Sequence, residues 1–252
     1  MKYFIIAGEK SGDLHGSNLI RELLNNDPSS EIRCWGGDLM KASGALLLMH
    51  YSETAFMGFT DVFRNLGKIR SLMLKCREQI IQFKPNVLIL IDYPGFNLRM
   101  AEFAKKEKIP VFYYISPKLW AWNESRVRKI KKYVDKMYII FPFEVDFYRK
   151  HSFKADYYGN PLMDEMEKKT IDSNDKEALR QSLGLAEKPI ISILAGSRKS
   201  EIVQILPKML EVIPYFKEYQ FVIAGVENIS DELYDKITGN AKVKLIKGKT
   251  YE

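Results

Sequence analysis

Short apolar runs alternate with amphipathic stretches from the first residues of this chain onward, and that alternation constrains the fold more than any other feature. Apolar runs of about four to eight residues favour buried strands, whereas apolar residues at helical spacing favour helices that cover them. Strand–helix–strand units of this kind build a parallel sheet with helices on its faces. The sequence therefore predicts a doubly wound α/β fold.

The alternation forms two series. In the first, strands are predicted at residues 3–7, 31–35, 87–91, 111–115, 137–140 and 156–158, and helices at 14–24, 66–83, 96–106, 126–133 and 143–151. In the second, strands are predicted at 190–194, 221–224 and 243–246, and helices at 176–183, 202–216 and 231–237. The polar segment 168–175 separates the two series. We predict a Rossmann-like domain over 1–167 and the start of a second over 168–252, incomplete because sheets commonly hold about four to six strands.

Several classes of site and location are disfavoured. No apolar stretch approaches the roughly 18 residues of a membrane span, and the apolar run at the start is too short for a secretory signal. We expect a cytoplasmic protein in which Cys34 and Cys76 are buried free thiols. His15, His50 and His151 stand far apart without Cys or His at ligand spacing, so no metal site is expected.

Positive charge is in excess, with 39 Lys and Arg against 32 Asp and Glu. Such a chain attracts anions, which include nucleic acid, anionic lipid and phosphorylated substrates, and charge alone does not choose among them. The predicted helix 126–133 is strongly basic. Its basic residues either form a solvated face or bind phosphates or anionic headgroups.

The first predicted strand leads into a glycine-spaced turn, residues 8–16, of sequence GEKSGDLHG. Its spacing matches neither the dinucleotide fingerprint nor the Walker frame. On the simplest interpretation Ser11 or Asp13 caps the next helix and Gly16 packs on the sheet. Because ligands of open α/β sheets bind beyond the carboxyl ends of the strands, the polar residues of this turn are also candidates for function.

Asp92 follows a fully apolar predicted strand, which places a carboxylate at the carboxyl edge of the sheet. It either closes a turn or caps the helix near Pro94, or it acts as a general base toward a substrate hydroxyl. We favour the general base. After the next strand come Trp120 and Trp122, for which core or lid packing is expected.

The second series has a comparable turn, in which Gly196, Ser197 and Arg198 join a strand to a helix. Small residues expose backbone N–H groups, and an arginine binds phosphate in bidentate fashion, so this turn suits an anion. The alternative is a plain helix cap by Ser197 or Ser200. The turn containing Gly248 follows a later strand and is predicted to close over the same ligand.

The segments AGEKSGD, MGFTDV, IDYPGFN, SPKLWAW, FPFE, GNPLMD and GSRKSE follow one another in the order found in lipid-A-disaccharide synthases, which the chain resembles over essentially its whole length. The resemblance implies a two-domain glycosyltransferase fold of the GT-B type, with the acceptor handled mainly by the first domain and the nucleotide by the second. It implies inverting transfer of 2,3-diacylglucosamine from UDP to 2,3-diacylglucosamine 1-phosphate, with release of UDP.

The resemblance also implies roles for individual residues. Asp92 becomes the catalytic base. The substrate-binding residues become Glu9, Ser11, Gly12, Asp13, Asn97 and Asn160, and the nucleotide-binding residues become Gly196, Ser197, Arg198 and Gly248. No cofactor or metal is implied, since the UDP-sugar is a substrate.

The resemblance adds a second possible role for an apolar segment that has basic neighbours. Met57, Val62, Phe63, Leu66 and Ile69 either pack in the core or form a surface patch that receives acyl chains. The implied partners are acylated glucosamine substrates and the anionic inner-membrane surface, to which a cytoplasmic protein binds peripherally. Nucleic acid is not expected as a partner.

Three departures from the family pattern stand out. Ala195 replaces the usual proline before Gly-Ser-Arg, and Asn160 stands where many relatives carry histidine. Relatives also continue through a further donor loop, so we expect a C-terminally truncated chain with weak or no transferase activity alone. The alternatives are a non-catalytic lipid- or membrane-binding fragment and a sugar-nucleotide epimerase, a family that shares the fold type.

Overall fold

The computed structural model describes residues 1–53, 66–122, 124–168 and 173–249. The chain divides into two compact units, Met1–Pro161 and Leu162–Glu252, called the first and second unit below. The domain boundary predicted after residue 167 falls inside the helix Pro161–Lys168, most of which the structure groups with the second unit.

The described part of the first unit contains a seven-stranded, wholly parallel sheet. Its strands, in chain order, are β1 (Lys2–Ala7), β2 (Glu31–Gly36), β3 (Leu46–His50), β4 (Val87–Ile91), β5 (Val111–Tyr114), β6 (Lys136–Ile139) and β7 (Asp156–Tyr157). Their order across the sheet is β3-β2-β1-β4-β5-β6-β7. The order reverses direction between β1 and β4, and that topological switch point is where open α/β sheets bind ligands. The predicted doubly wound α/β fold is confirmed.

Helices cover both faces of this sheet. They are α1 (Lys10–Asn26), α2 (Asp38–Ala42), α3 (Leu66–Phe83), α4 (Pro94–Lys106), α5 (Leu119–Trp122), α6 (Val127–Tyr133) and α7 (Phe143–Lys150), with 3₁₀ turns at Tyr51–Glu53 and Glu124–Arg126. Along β1, Phe4 and Ile6 belong to one apolar core and Ile5 and Ala7 to the other. Because both faces are buried, the central strands are continuous apolar runs rather than alternating ones.

The sequence did not predict the pair α2 and β3. The run Leu46–His50 is a short edge strand, with Leu46 exposed, and an apolar run of this length does not by itself distinguish a strand from a helix. Its place is set by pairing with β2, a contact that local sequence does not reveal.

Both cysteines are free thiols with no exposed surface, as expected. Burial, with a smaller contribution from the nearby charge of Asp13, raises the pKa of Cys34 to about 12. Burial also raises the pKa of Cys76. A thiol that stays protonated is a poor nucleophile, so these residues act as small apolar side chains of the core.

The second unit has a smaller parallel sheet over the same alternation. Its elements are α8 (Pro161–Lys168), α9 (Ser173–Ser182), β8 (Ile190–Ile193), α10 (Lys199–Leu210), β9 (Gln220–Gly225), α11 (Asp231–Thr238) and β10 (Val243–Lys247), with a 3₁₀ turn at Ile213–Tyr215. The strands pair in the order β10-β9-β8. The helix predicted over 202–216 ends earlier, at Leu210, and a 3₁₀ turn that contains Pro214 follows it. None of the described helices has the length and apolar content needed to cross a bilayer.

Candidate functional site

Asp92 lies at the carboxyl end of β4, next to the switch point of the sheet. All five residues of β4 are buried, whereas Asp92, the next residue, is only partly buried. The helix α4 begins two residues later, at Pro94. The chain thus brings a carboxylate out of the core at the edge where ligands of this fold class bind.

The turn that carries Asp92 is strained. Asp92 and Tyr93 have φ values of 42° and 51°, both in the left-handed region that non-glycine residues rarely adopt. Strain of this kind costs on the order of 1–3 kcal/mol per residue and persists only where the surroundings hold it. The Asp92 N–H donates to the Ile115 carbonyl at 3.2 Å, and the Asp92 carbonyl accepts from the Tyr113 hydroxyl and from the Asn97 amide. Backbone bonds therefore hold the turn.

A ring contact joins the turns after β1 and β4. A Cβ atom at Gly8 would lie 2.3 Å from Cγ of Tyr93, so the Tyr93 ring rests against the Gly8 backbone. The ring of Tyr93 stacks on Phe96 at 5.7 Å between centroids, and Phe96 stacks on Trp35 at 5.6 Å. Gly8 is therefore needed for close approach, a role that its place in a glycine-spaced turn did not specify.

Asn97, predicted to bind substrate, has a buried side chain that is bonded to the backbone. The side chain is 0% exposed, and its Nδ2 donates to the carbonyls of Ile91 at 3.1 Å and Asp92 at 2.8 Å. These bonds tie the first turn of α4 to the end of β4 and fix the turn of Asp92. The substrate contact of Asn97 stays a prediction.

Asp13 is also buried and bonded to the backbone. It is 3% exposed, and its carboxylate accepts from the N–H groups of Gly37 at 2.8 Å, Met40 at 3.0 Å and Leu39 at 3.1 Å. These donors form the start of α2, whose N–H groups favour an acid there. Asp13 thus ties α1 to α2, and its substrate contact stays a prediction.

In the rest of the turn after β1, the glycines are packed against neighbouring residues, whereas Glu9 and Ser11 are exposed. Helix α1 begins at Lys10 with Glu9 as its N-cap residue, so neither Ser11 nor Asp13 caps it. Gly12 packs on β1, where an added Cβ would lie 3.1 Å from that of Ala7, while Gly16 packs on Met40 of α2. Glu9 and Ser11 are exposed at the end of β1, the strand beside β4.

Asn160 follows the edge strand of the sheet. Strand β7 ends at Tyr157 and is the third strand from β4, and Asn160 is partly buried. At about 4.8 Å between neighbouring strands, the end of β7 lies roughly 14 Å along the edge from β4. The substrate contact of Asn160 stays a prediction.

Sequence reasoning missed a buried polar pair beside this turn. Ser116, after β5, is 3% exposed, and its hydroxyl donates to Oε1 of Glu144 at 2.7 Å. Glu144, in α7, is 0% exposed. The acid of the FPFE segment was visible in the sequence, but an acid near a helix start usually faces solvent, so nothing pointed to a buried partner.

In the second unit, the loop between β8 and α10 already surrounds a carboxylate. The N–H groups of Ser197 and Arg198 donate to Oε2 of Glu201 at 3.0 and 3.2 Å, and Nη1 of Arg198 lies 3.4 Å from Oε1. Gly196 has a φ of 103°, and an added Cβ would lie 2.6 Å from the Glu201 carboxylate. The N-cap residue of α10 is thus Arg198 and not a serine, and its backbone N–H donates to Glu201 in the first helical turn. The N–H donors of the loop therefore point at one anionic group, the Glu201 carboxylate.

Gly248 lies at the same edge of the second sheet, after β10, with a φ of 71°. Strand β9 separates β10 from β8, so one strand stands between Gly248 and the Gly196 loop. Its N–H donates to the Gly225 carbonyl at 3.4 Å, and it packs near Glu227.

The predicted acyl patch is only partly within the described residues. Met57, Val62 and Phe63 lie outside them, as does the side chain of Leu66. Ile69 is 5% exposed and is a core residue, as the packing alternative for that segment expects. Elsewhere, Trp120 and Phe143 are exposed and meet edge to face at 5.0 Å, so Trp120 is not a core residue.

Helix α6 has one buried and one basic face. Val127 and Ile130 are buried, whereas its basic residues, Arg128, Lys129, Lys131 and Lys132, are exposed. Within the ranges that the structure describes, no group of His, Cys, Asp and Glu side chains is arranged to hold a metal ion.

Comparison with known proteins gives one family. Residues 3–249 match the family model of lipid-A-disaccharide synthetase. The lipid-A-disaccharide synthase of Trichlorobacter lovleyi is 36% identical over 236 residues, which cover 92% of this chain and 61% of that protein. That of Syntrophus aciditrophicus is 38% identical over 257 residues, covering 98% and 66%. The chain thus spans between about three fifths and two thirds of the length of these relatives.

Solved structures support the fold. The crystal structure of UDP-GlcNAc 2-epimerase from Neisseria meningitidis bound to UDP-GlcNAc matches with a TM-score of 0.72 and 16% identity, covering 100% of this chain and 73% of that one. Likeness at this identity shows the fold alone, so it does not favour epimerase chemistry.

Proposed function

The chain belongs to the lipid-A-disaccharide synthetase family, and we propose that it acts in inverting glycosyl transfer from UDP-2,3-diacylglucosamine to 2,3-diacylglucosamine 1-phosphate. The products are the lipid A disaccharide 1-phosphate and UDP. The observation that carries this proposal is Asp92, a partly exposed carboxylate in a strained turn at the switch point of the sheet. The Asp92 N–H and carbonyl are bonded to Ile115, Tyr113 and Asn97, and these bonds fix where the carboxylate leaves the sheet.

In the proposed reaction Asp92 is the general base. As the 6-hydroxyl oxygen of the acceptor attacks the anomeric carbon of the donor, the carboxylate takes the hydroxyl proton. The new carbon–oxygen bond forms on the face opposite the leaving group, the bond to the UDP oxygen breaks, and the configuration inverts. Glu9 and Ser11, exposed at the end of β1, are the proposed acceptor contacts beside it.

The Gly196–Ser197–Arg198 loop is proposed to bind the UDP diphosphate. A helix N-terminus with exposed N–H groups favours an anion, and an arginine at the same place neutralises the leaving charge. Glu201 marks the position, because its Oε2 accepts from both loop N–H groups. We propose that a phosphate oxygen replaces that carboxylate oxygen when nucleotide binds. No metal or cofactor is needed in this scheme.

Replacing Arg198 by alanine is expected to weaken UDP binding by about 10- to 100-fold, because a hydrogen bond between charged groups contributes about 1.5–3 kcal/mol. Isothermal titration of UDP into the chain measures this effect. Lys208→Ala is the matched control, since it removes an exposed positive charge from the far end of the same helix and should leave the affinity unchanged. Equal affinities for Arg198→Ala and the unchanged chain would refute the assignment.

We further propose that the protein works at an anionic membrane surface, as lipid-linked substrates require. The exposed basic face of α6 supports this, since about 1 kcal/mol per Lys is gained near such a surface. The double change Lys129→Glu and Lys132→Glu is expected to lower binding to phosphatidylglycerol vesicles at least about tenfold. The binding should also weaken as salt is added.

The control for α6 is Lys188→Glu with Lys217→Glu, which changes net charge equally at exposed positions of the second unit. Vesicle co-sedimentation distinguishes the cases. An equal loss for both pairs would mean that net charge and not α6 determines binding, and no loss for the α6 pair would exclude that face.

The transfer itself is tested by incubating the chain with both acylated substrates and detecting the disaccharide by mass spectrometry together with released UDP. A low yield of both products is expected, in keeping with the weak activity expected from the sequence. Acceptor binding without UDP release would favour a lipid-binding module instead, and a free sugar as product would favour an epimerase.

A further inference from the structure

We propose that Glu144 is a positioning residue for Asp92 and acts through Ser116 and the strained residue between β5 and Ser116. The inference rests on the proposed function, because it assigns Asp92 the role of base. Glu144 lies on α7, after β6, and β6 is the second strand from β4 in the sheet. It does not touch the reacting atoms in this proposal.

The surroundings of Glu144 do not suit a simple helix cap. The side chain is 0% exposed, and both of its oxygens accept hydrogen bonds, Oε1 from the Ser116 hydroxyl at 2.7 Å and Oε2 from the Phe141 N–H at 3.3 Å. Removing a carboxylate from water is costly unless its bonds are replaced. An exposed acid would cap α7 without that cost. What a buried Glu144 has in addition is its hydrogen bond from Ser116.

The residue before Ser116 is hydrogen-bonded to Asp92. This residue, Ile115, has a φ of 65°, which is rare for a β-branched residue. Its N–H donates to the Tyr138 carbonyl at 2.9 Å, and its carbonyl accepts the Asp92 N–H at 3.2 Å. Ile115 is thus held in a strained conformation between Glu144, through Ser116, and Asp92, and such strain persists only where neighbours enforce it.

A second bond from the same strand reinforces the turn. The hydroxyl of Tyr113, in β5, donates to the Asp92 carbonyl. Burial, together with the Asp92 charge, raises the pKa of Tyr113 well above its ordinary value, so the hydroxyl keeps its proton and remains a donor. The Asp92 carbonyl is therefore bonded to Tyr113 of β5, and the Asp92 N–H is bonded to Ile115, the residue after β5. Glu144 supports this arrangement through its bond to Ser116, the next residue.

The expected consequence is a loss of alignment rather than of binding. Without the Ser116–Glu144 bond, Ile115 can relax out of the left-handed region, and the Asp92 N–H loses a fixed partner. Displacing a reacting group by about 1 Å can cost roughly 10²-fold in rate. Turnover should then fall while the acceptor KM changes little.

Ser116→Ala tests this, because it removes only the hydroxyl. We expect kcat to fall about 10- to 100-fold with KM nearly constant, and the Asp92 amide to exchange with deuterium at least about tenfold faster. Glu144→Gln keeps an acceptor for Ser116 and should restore part of the activity that Glu144→Ala loses. The control is Ser17→Ala, another buried serine, whose hydroxyl donates within α1 to the Leu14 carbonyl.

Amide exchange needs no turnover, so it separates the two proposals. If the unchanged chain makes no disaccharide but Ser116→Ala still speeds exchange at Asp92 selectively, the glycosyl-transfer proposal fails and the connection from Glu144 to Asp92 stands. Unchanged exchange at Asp92 overturns the positioning role. So does faster exchange spread evenly over the strands of the sheet, which would indicate only general destabilisation.

Discussion

Asp92→Asn is expected to lower the turnover of the proposed glycosyl transfer by about 10²- to 10⁴-fold, the usual contribution of a general base. An amide has nearly the shape of a carboxylate but does not accept the hydroxyl proton. The turn should survive, because the N–H and carbonyl of residue 92 keep their bonds to Ile115, Tyr113 and Asn97. Asparagine also tolerates a φ of 42° better than most residues.

Steady-state kinetics with both acylated substrates measure the effect, and the acceptor KM should remain within about threefold, since only a transition-state interaction is lost. Asp146→Asn is the matched control. It makes the same change on α7 at an exposed carboxylate that pairs with Arg149, and it should keep full turnover. If Asp92→Asn retained more than about a tenth of the turnover, another group would have to be the base.

The sequence was informative where burial on both faces left a continuous apolar run. Strand β4 was predicted with its observed bounds for that reason, and Asp92 stood out because an acid follows it directly. The pair α2 and β3 was missed because both elements are short and the position of β3 depends on pairing with β2. The spacing of apolar residues shows which face of a helix or strand is buried, but not which element packs or pairs against it.

Side-chain direction could not be predicted for two of the proposed site residues. Asp13 and Asn97 have the residue types of ligand contacts and lie in the expected turns, yet both face inward and satisfy backbone groups. Ser116 and Glu144 are 28 residues apart on different strand–helix connections. Only the adjacency of β5 and β6 brings them together, so no local pattern could have predicted the pair.

The same reasoning applies to the second unit. The loop from Gly196 to Arg198 was predicted as an anion site from its small residues and its arginine. What sequence did not reveal is that Glu201, in the same segment, supplies an anionic group to the loop N–H donors. An acid in the first turn of a helix is common, and only the geometry distinguishes one that accepts the loop N–H groups from a solvated side chain.

Gly8→Ala is expected to destabilise the first unit by about 1–3 kcal/mol, the usual cost of overpacking. The added Cβ would lie 2.3 Å from Cγ of Tyr93. The ring has little room to yield, since it stacks on Phe96, which stacks on Trp35. Moving Tyr93 would also move Asp92, its neighbour in the strained turn, so transfer should fall further than stability alone explains.

Tyr93→Ala tests whether the Tyr93 ring is the reason that alanine at residue 8 destabilises the first unit. If the ring is the obstacle, Gly8→Ala should cost much less in the Tyr93→Ala background, with a coupling of at least about 1 kcal/mol between the two changes. Gly95→Ala is the control, because an added Cβ meets no atom within 4 Å there and the site is an exposed helical one. Alanine should leave stability unchanged or raise it by up to about 1 kcal/mol.

Denaturation followed by tryptophan fluorescence measures these differences in the full chain, since all three tryptophans, Trp35, Trp120 and Trp122, belong to the first unit. Additive costs for Gly8→Ala and Tyr93→Ala would show that the ring does not limit residue 8. The contact between the turns after β1 and β4 would then have no part in holding Asp92. A strong coupling, with transfer lost in Gly8→Ala but not in Gly95→Ala, would establish that the absence of a side chain at residue 8 keeps the proposed base in place.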